Sequence, residues 1–388
     1  MRKIITYICL FFPIHLAAVS QRATSQADLV LSKDPEIGLT RDQLIQAFDF
    51  IENMKGKKGV YSRKQTHLPC TIEHCPKMGG YLIRDINKKK RVGHGTHKKI
   101  QKAIFCGSDT RLVADCNCDD TAKNELKVLR QLKGKKGIVP FLGSDSQGKG
   151  RYSIYLEYFP EGSLRKLLKH DTQFTEDQIL QIALDVTCAV QTMHKEDLIH
   201  RDLHEGNVLL RTAPNNMFEA VLVDFGKTLS SSKAKRALPQ TPASKNPPEN
   251  LLCSLRSIDR HLGEVYALGC LFYHIVWKEP QPWSYVFNSR RLDGMSDSQK
   301  EKLHDKIVSL YKKTKNGRVG NLVAKAQNQQ TLTPFEELQL TTFDMLHYNP
   351  KKRPSIKKLI EKLRSLRPSV KITYSQEDLI EHLLAMID

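Results

Sequence analysis

Leu198-Ile199-His200-Arg201-Asp202-Leu203-His204-Glu205-Gly206-Asn207-Val208-Leu209-Leu210 lies between two apolar segments of different character. Before it, apolar residues at helical spacing from about Thr175 to Lys195 predict a long helix; after it, the run from Val208 predicts a strand. A carboxylate at Asp202 and an amide at Asn207, five residues on, suit a loop that brings one base and one metal ligand together. Ala220-Val221-Leu222-Val223-Asp224-Phe225-Gly226 then sets another carboxylate just after a buried strand, 22 residues beyond the first. Oxygens from Asn207 and Asp224 converging on one point make a hard-cation site, suited to Mg²⁺ with phosphate oxygens completing the shell.

In order and spacing these segments resemble the catalytic loop and the Asp-Phe-Gly motif of the eukaryotic-type protein kinases. The resemblance covers roughly residues 80 to 365. Pro247-Pro248-Glu249 is similar to that family's Ala-Pro-Glu motif, with Pro for Ala, and Arg353 matches the arginine that pairs with its glutamate. Glu264-Val265-Tyr266-Ala267-Leu268-Gly269 resembles the central large-lobe helix, with Glu264 where the family usually has Asp. Tyr155-Leu156-Glu157-Tyr158-Phe159 followed by Gly162-Ser163-Leu164 resembles the hinge between lobes. The resemblance implies that backbone groups near Glu157 and Phe159 bond the adenine edge and that Leu156 lines the back of the nucleotide pocket.

The phosphate-binding strands and the catalytic loop depart from the family further. Its small lobe carries Gly-x-Gly-x-x-Gly-x-Val and then a strand with Val-Ala-x-Lys; here stand Gly93-His94-Gly95-Thr96-His97-Lys98-Lys99-Ile100 and Val113-Ala114-Asp115-Cys116. The third glycine is Lys98 and the strand lysine is Cys116. Side chains repeat every two residues on one face of a strand. If Ile100 packs on adenine, Lys98 faces the same cleft, and Ala114 and Cys116 share a face on the adjacent strand. An ammonium from Lys98 then occupies the space over Cys116 and reaches the phosphates. This arrangement resembles the with-no-lysine kinases. Glu125, in Asn124-Glu125-Leu126-Lys127-Val128-Leu129, fits the carboxylate that positions the lysine, although only nine residues separate it from Cys116, which predicts a truncated start to its helix. The second departure is His204, where Ser/Thr-type kinases usually place a lysine near the transferred phosphoryl group. A histidine is only partly charged near pH 7, so slower turnover is expected.

The 26 residues from Asp224 to Glu249 carry Ser230, Ser231, Ser232, Thr241 and Ser244, where a phosphate would pair with Arg201. Around this core the chain has 388 residues, 40% hydrophobic and 27% charged, enough apolar content for a real core and too much for a disordered tail. Its net charge of +19 favours acidic substrates, nucleotides or an anionic surface. The lysine clusters are dispersed, and no recognition-helix or aromatic stacking motif accompanies them, so no specific nucleic-acid partner is expected. Nine cysteines exclude a dense disulfide scaffold. His67, Cys70, His74 and Cys75 lack a complementary second cluster for zinc and read as an ordinary loop.

Met1-Arg2-Lys3 followed by apolar residues to Val19 reads as an export signal, a single anchor or a buried helix. Thr40 and Gln43 have capping-box spacing, with Leu44, Ala47, Phe48 and Ile51 on one face of the helix that follows. Residues 285–340 read as large-lobe helices with polar insertions.

The expectation is an α+β chain with a bilobal protein-kinase-like fold. Residues 1–20 form the signal or anchor, and 21–80 an extension with one amphipathic helix. The kinase-like domain spans 81–365, with a small antiparallel β lobe plus one helix over about 81–157 and a larger, mainly α-helical lobe over about 158–365. A tail, 366–388, ends in an amphipathic helix. The implied activity is transfer of the ATP γ-phosphoryl group to protein hydroxyls, preferably Ser/Thr. Asp202 serves as base, Asn207 and Asp224 hold Mg²⁺, and Lys98 grips phosphate with Glu125 behind it. Gly93, Gly95, Ile100, Ala114, Glu157 and Phe159 line the nucleotide site. The rival is a pseudokinase serving as a nucleotide- or protein-binding scaffold. Activity needs ATP, so an exported protein would act inside an ATP-containing host cytosol; a membrane-tethered or cytoplasmic kinase is the alternative.

Overall fold

A computed structural model describes residues 23–31, 39–54, 57, 59–61, 63–75, 79–85, 93–94, 98–105, 110–116, 120–146, 152–234, 245–252, 259–286 and 295–367. The amino-terminal apolar run, Gly95, Thr241, Ser244 and the tail helix lie outside them. The chain divides into two compact units, Met1–Thr172 with Thr192–Pro242, and Gln173–Gln191 with Ala243–Asp388. Lys98, Glu125, Glu157, Phe159, Asp202, Asn207 and Asp224 all fall in the first.

That unit begins with helix α1, residues 23–31, and helix α2, Arg41–Asn53. Thr40 opens α2 with a capping box: the Gln43 N–H donates to Thr40 Oγ1 at 3.3 Å, and the Thr40 N–H to Gln43 Oε1 at 2.9 Å. Next come β1 (Val60–Tyr61), the short helix α3 (Arg63–Thr66), β2 (Cys70–Cys75), β3 (Gly80–Asp85), β4 (Gly93–His94), β5 (Lys98–Phe105) and β6 (Thr110–Cys116). Helix α4 (Asp120–Gln131) precedes β7 (Phe141–Ser146) and β8 (Tyr152–Glu157). The strands form one antiparallel sheet in the order β1-β2-β3-β5-β6-β8-β7, with β4 also on β5.

The sheet has two apolar faces. Ile72, Tyr81, Ile83 and Ile104 pack with Ala23, Ala27, Val30, Leu44, Ala47, Phe48 and Ile51 of α1 and α2. On the other face Cys75, Leu82, Ala103 and Tyr155 form a second cluster. Cys75 Sγ lies 3.3 Å from the Tyr155 hydroxyl, although β2 and β8 are four places apart, about 19 Å in a flat sheet. The sheet therefore curls strongly around this interior. Burial pushes the Cys75 thiol up to about 12, so it is an inert core group.

Two expectations need correction. Cys70 to Cys75 is a strand rather than a loop. Cys70 and Cys75, five positions apart on it, belong to opposite faces and cannot converge on one ion. The extension also carries more than one helix: α1 joins α2, and β1 and β2 add to the sheet, so the sheet starts at Val60 and not at residue 81. Those strands were hidden because β1 is only two residues long and the buried Glu73 breaks the apolar–polar alternation that would mark β2.

After helices α5 (Leu164–Lys169), α6 (Glu176–Lys195), α7 (Ser231–Ala234) and α8 (Glu249–Leu252), helix α9 of the second unit, Arg260–Trp277, is buried over much of its length. A Cβ on Gly269 would stand 3.0 Å from both Leu346 Cγ and Met345 Cβ, so glycine permits the close approach of α9 to the end of the helix Pro334–Met345. Asp297–Gln327 is a single helix of 31 residues burying only Ile307, Tyr311, Val319 and Leu322, which is why its sequence reads as polar insertions. No helix among the described residues is long and apolar enough to cross a membrane.

The Glu249–Arg353 pair anchors this unit. Arg353 Nη1 and Nη2 donate to Glu249 Oε1 and Oε2, each at 2.7 Å. Its Nε donates to the His347 carbonyl at 2.7 Å, and the guanidinium stacks 4.8 Å over the Tyr266 ring. Arg353→Met, leaving a buried carboxylate alone, is expected to cost about 3–5 kcal/mol in urea unfolding, and Arg353→Met with Glu249→Leu to recover much of it. A smaller loss is expected at the α9 N-cap, where Asp259 Oδ1 accepts from the His261 and Leu262 N–H groups at 2.9 and 3.3 Å. The His261 side chain, with these backbone donors, holds the Asp259 carboxyl down at about 2. The folded value lies below the unfolded one, about 3.9. The contribution is therefore complete above about pH 4 and lost as pH falls towards 2. Asp259→Ala should cost about 1 kcal/mol at pH 7, and the gap from wild type should close near pH 2 in acid titrations of stability.

Candidate active site

The site is built on short strands at the end of a helix. Helix α6 (Glu176–Lys195) leads into Leu198–Ile199, which pairs antiparallel with Leu229–Ser230. His200 is fully buried; its Nδ1 accepts the Asp202 N–H at 3.3 Å and its ring lies 5.4 Å from that of Phe225. Asp202 and Asn207 are both about 6% exposed. Asn207 Nδ2 donates to the Asp202 carbonyl at 2.9 Å, and the Val223 N–H donates to the Asn207 carbonyl at 3.1 Å. These two bonds tie Asp202, Asn207 and the residue before Asp224 into one hydrogen-bonded unit. Asp202 Oδ2 lies 3.0 Å from Lys227 Nζ. Asp202 Oδ1 is buried and has no hydrogen-bond partner among the described residues.

His204 occupies the position two beyond Asp202. Its Nδ1 accepts the Gly206 N–H at 3.0 Å and faces Arg165 Nη2 at 3.1 Å, while its Nε2 stands 3.8 Å from Asp202 Oδ1. Burial holds the imidazole below its ordinary value, with Asp202 opposing the shift and Arg165 adding to it. His204 is thus neutral near pH 7.

The segment after the strand Met217–Leu222 is strained and pinned. Asp224 has φ +68° and Arg201 φ +67°, left-handed values that non-glycine residues adopt at a cost. Phe225 is fully buried. A Cβ on Gly226 would meet Thr121 Cγ2 at 2.5 Å, so α4 passes where only glycine fits. From α4, Asn124 Nδ2 donates to the carbonyls of Gly226 and Thr228 at 3.1 and 2.7 Å. Arg201 Nη1 donates to the Lys227 carbonyl at 3.2 Å. Ser230 Oγ faces Ser232 Oγ at 3.2 Å. Asn124 and Lys227 were not singled out in the sequence. The only signal was position: one precedes Glu125, the other follows Asp-Phe-Gly.

On the nucleotide side the backbone register is informative. Lys98 is the cross-strand partner of Cys116, and Ile100 that of Ala114. Ala114 in turn pairs with Ile154, and Leu112 with Leu156. Directly opposed residues share a sheet face, so positions 98, 100, 114, 116 and 156 belong to one face. Gly93 pairs with Ile100, while Gly95 lies outside the described residues. Helix α4 begins at Asp120, and Glu125 on it is 2% exposed. At the hinge, the Glu157 N–H donates to the Pro140 carbonyl at 3.1 Å and its carboxylate is held by Arg211 Nη1 at 2.6 Å. Phe159 is buried under the Arg211 guanidinium, and its carbonyl accepts the Gly162 N–H at 3.0 Å.

The donor set fits a hard cation. Asn207's amide nitrogen is committed to Asp202, which leaves its oxygen as the ligating atom, and Asp224 adds a carboxylate; amide and carboxylate oxygens with phosphate oxygens are what Mg²⁺ takes.

The sequence model described as protein kinase domain matches residues 87–363. Mitogen-activated protein kinase kinase kinase 3 of Arabidopsis thaliana is 28% identical over 212 residues, covering 51% of this chain and 33% of that protein. Serine/threonine-protein kinase ppk30 of Schizosaccharomyces pombe is 32% identical over 185 residues, covering 42% of this chain and 19% of that protein. Serine/threonine-protein kinase CTR1 of Arabidopsis thaliana is 28% identical over 210 residues, covering 51% and 25%. The chain spans about a third or less of the length of these relatives. With its α+β architecture and a family match over most of its length, the chain belongs to the protein kinase domain family.

Proposed function

We propose that the chain transfers the γ-phosphoryl group of ATP to protein hydroxyls, with serine and threonine preferred, as in the names of its relatives. The observation that carries this reading is the pair of hydrogen bonds that joins Asp202 to Asn207 and Asn207 to Val223, the residue before Asp224. Asp202 Oδ1 accepts the substrate hydroxyl's hydrogen bond and takes its proton. The hydroxyl oxygen bonds to the γ-phosphorus while the bond from that phosphorus to the β–γ bridging oxygen breaks, releasing ADP. Mg²⁺ held by Asn207 and Asp224 would neutralise phosphate charge.

Lys98 supplies the phosphate-binding ammonium from β5. Its backbone register partner is Cys116, the position that matches the family's lysine, which supports a charge supplied from the neighbouring strand. Glu125 supports this reading: a carboxylate 2% exposed is held charged only beside a cation. The adenine edge would use the Glu157 carbonyl and the Phe159 N–H. A net charge of +19 favours acidic protein substrates.

The test is phosphate transfer from ATP and Mg²⁺ to dephosphorylated casein by the full chain, read beside a thermal-shift titration. Transfer supports the proposal. Stabilisation by ATP without transfer would make the chain a nucleotide-binding scaffold instead.

A further inference from the structure

A base buried at the centre of a transfer site needs something to fix its rotamer. Asp202 Oδ2 is taken by Lys227 Nζ at 3.0 Å, whereas Oδ1 accepts no hydrogen bond from the described residues. The two oxygens are therefore inequivalent, and the ion pair makes them so. His204 contributes no charge here: its Nδ1 accepts the Gly206 N–H, and a ring nitrogen that accepts carries no proton.

Lys227 is itself held by its backbone. Its carbonyl accepts from Arg201 Nη1 at 3.2 Å, and the carbonyls of Gly226 and Thr228 on either side accept from Asn124 Nδ2. Thr228 Oγ1 donates to the His200 carbonyl at 3.4 Å, which ties this stretch to the loop that carries Asp202. The Lys227 side chain is 41% exposed and that of Asp202 9%, so the ammonium lies between the buried carboxylate and solvent.

We propose that Lys227 is a positioning residue of phosphoryl transfer, its ammonium holding Asp202 by Oδ2 so that Oδ1 faces the incoming serine or threonine hydroxyl. The proposal rests on the kinase reading above. A charge-assisted bond is roughly twice as strong as a neutral one, and a carboxylate free to rotate would present either oxygen, or neither, in line with the phosphorus. The cation comes from the residue after Asp-Phe-Gly, so the base is set only when residues 224–228 hold this conformation.

The experiment compares wild type, Lys227→Met and Lys227→Arg in full-length protein, with ATP, Mg²⁺ and dephosphorylated casein. Lys227→Met is expected to lower kcat about 100-fold, with KM for ATP within about twofold of wild type. Lys227→Arg, which keeps the charge, is expected to recover to within about tenfold of wild type. Lys227→Met as fast as wild type, or faster, overturns the proposal. So does a fall in kcat that comes with a lower melting temperature and a raised KM for ATP, the pattern of a merely structural lysine. Absence of transfer by wild type overturns the kinase reading and this inference with it, whereas an active wild type matched by Lys227→Met removes the inference alone.

Discussion

Asp202→Asn is expected to lower phosphate transfer about 10²- to 10⁴-fold, the span that general-base catalysis contributes, while ATP with Mg²⁺ still raises the melting temperature. The substitution is nearly isosteric. Its backbone carbonyl still accepts from Asn207 Nδ2, and its side-chain oxygen can still accept from Lys227. What is lost is the oxygen that takes a proton. In the wild type that atom, Oδ1, is buried and accepts no hydrogen bond from the described residues, an arrangement costly to maintain unless an incoming donor uses it. Initial rates at saturating ATP check the prediction; a variant with the wild-type rate would move the base elsewhere.

Lys98→Met is expected to lower kcat/KM about 100- to 1000-fold, the loss typical when a preorganised charge is removed from a transferring group. In contrast to Asp202→Asn, it should also weaken nucleotide binding, because the proposed contact of its ammonium with the phosphates forms before any bond breaks. Initial rates over a range of ATP concentrations, with a thermal-shift titration, separate the two variants. The physical ground is the pleat. Antiparallel partners stand about 4.5–5.5 Å apart at Cβ, a span that lysine's four-carbon stem covers easily. The β5–β6 register makes Lys98 and Cys116 such partners. Removing the lysine also strips Glu125 of its proposed cation, and a carboxylate 2% exposed tolerates that poorly.

Where side chains announce chemistry, the sequence was legible. Asn207 donates to the Asp202 carbonyl and accepts from Val223, the residue before Asp224, and Glu249 meets Arg353 in a bidentate pair. The period-two count put Lys98 with Ile100, and Ala114 with Cys116, on one face; the backbone register is consistent with it, pairing position 98 with 116 and 100 with 114. The Thr40 capping box and the Leu44, Ala47, Phe48, Ile51 face are also present.

What was not legible depends on pairing at a distance. Nothing local in Cys70 to Cys75 says that it adds to the edge of a sheet, because polar residues interrupt its apolar ones, and its charge partner lies on the next strand: Glu73 bonds Arg84 at 2.7 Å. Helix 23–31 buries only Ala23, Ala27 and Val30, too narrow a stripe to mark it in advance. Lys227 and Asn124 were missed for a related reason. A lysine beside a glycine and an asparagine on a helix have no signature until the fold brings one to Asp202 and the other to the carbonyls of Gly226 and Thr228.

The relocated charge is tested most directly by moving it back. Phosphate transfer by Lys98→Met should be near background, and adding Cys116→Lys to that variant should restore a large part of it, since the new ammonium rises from the partner position on β6. Wild-type rates from Lys98→Met alone, or a double variant as inactive as the single one while still bound and stabilised by ATP, would contradict the account.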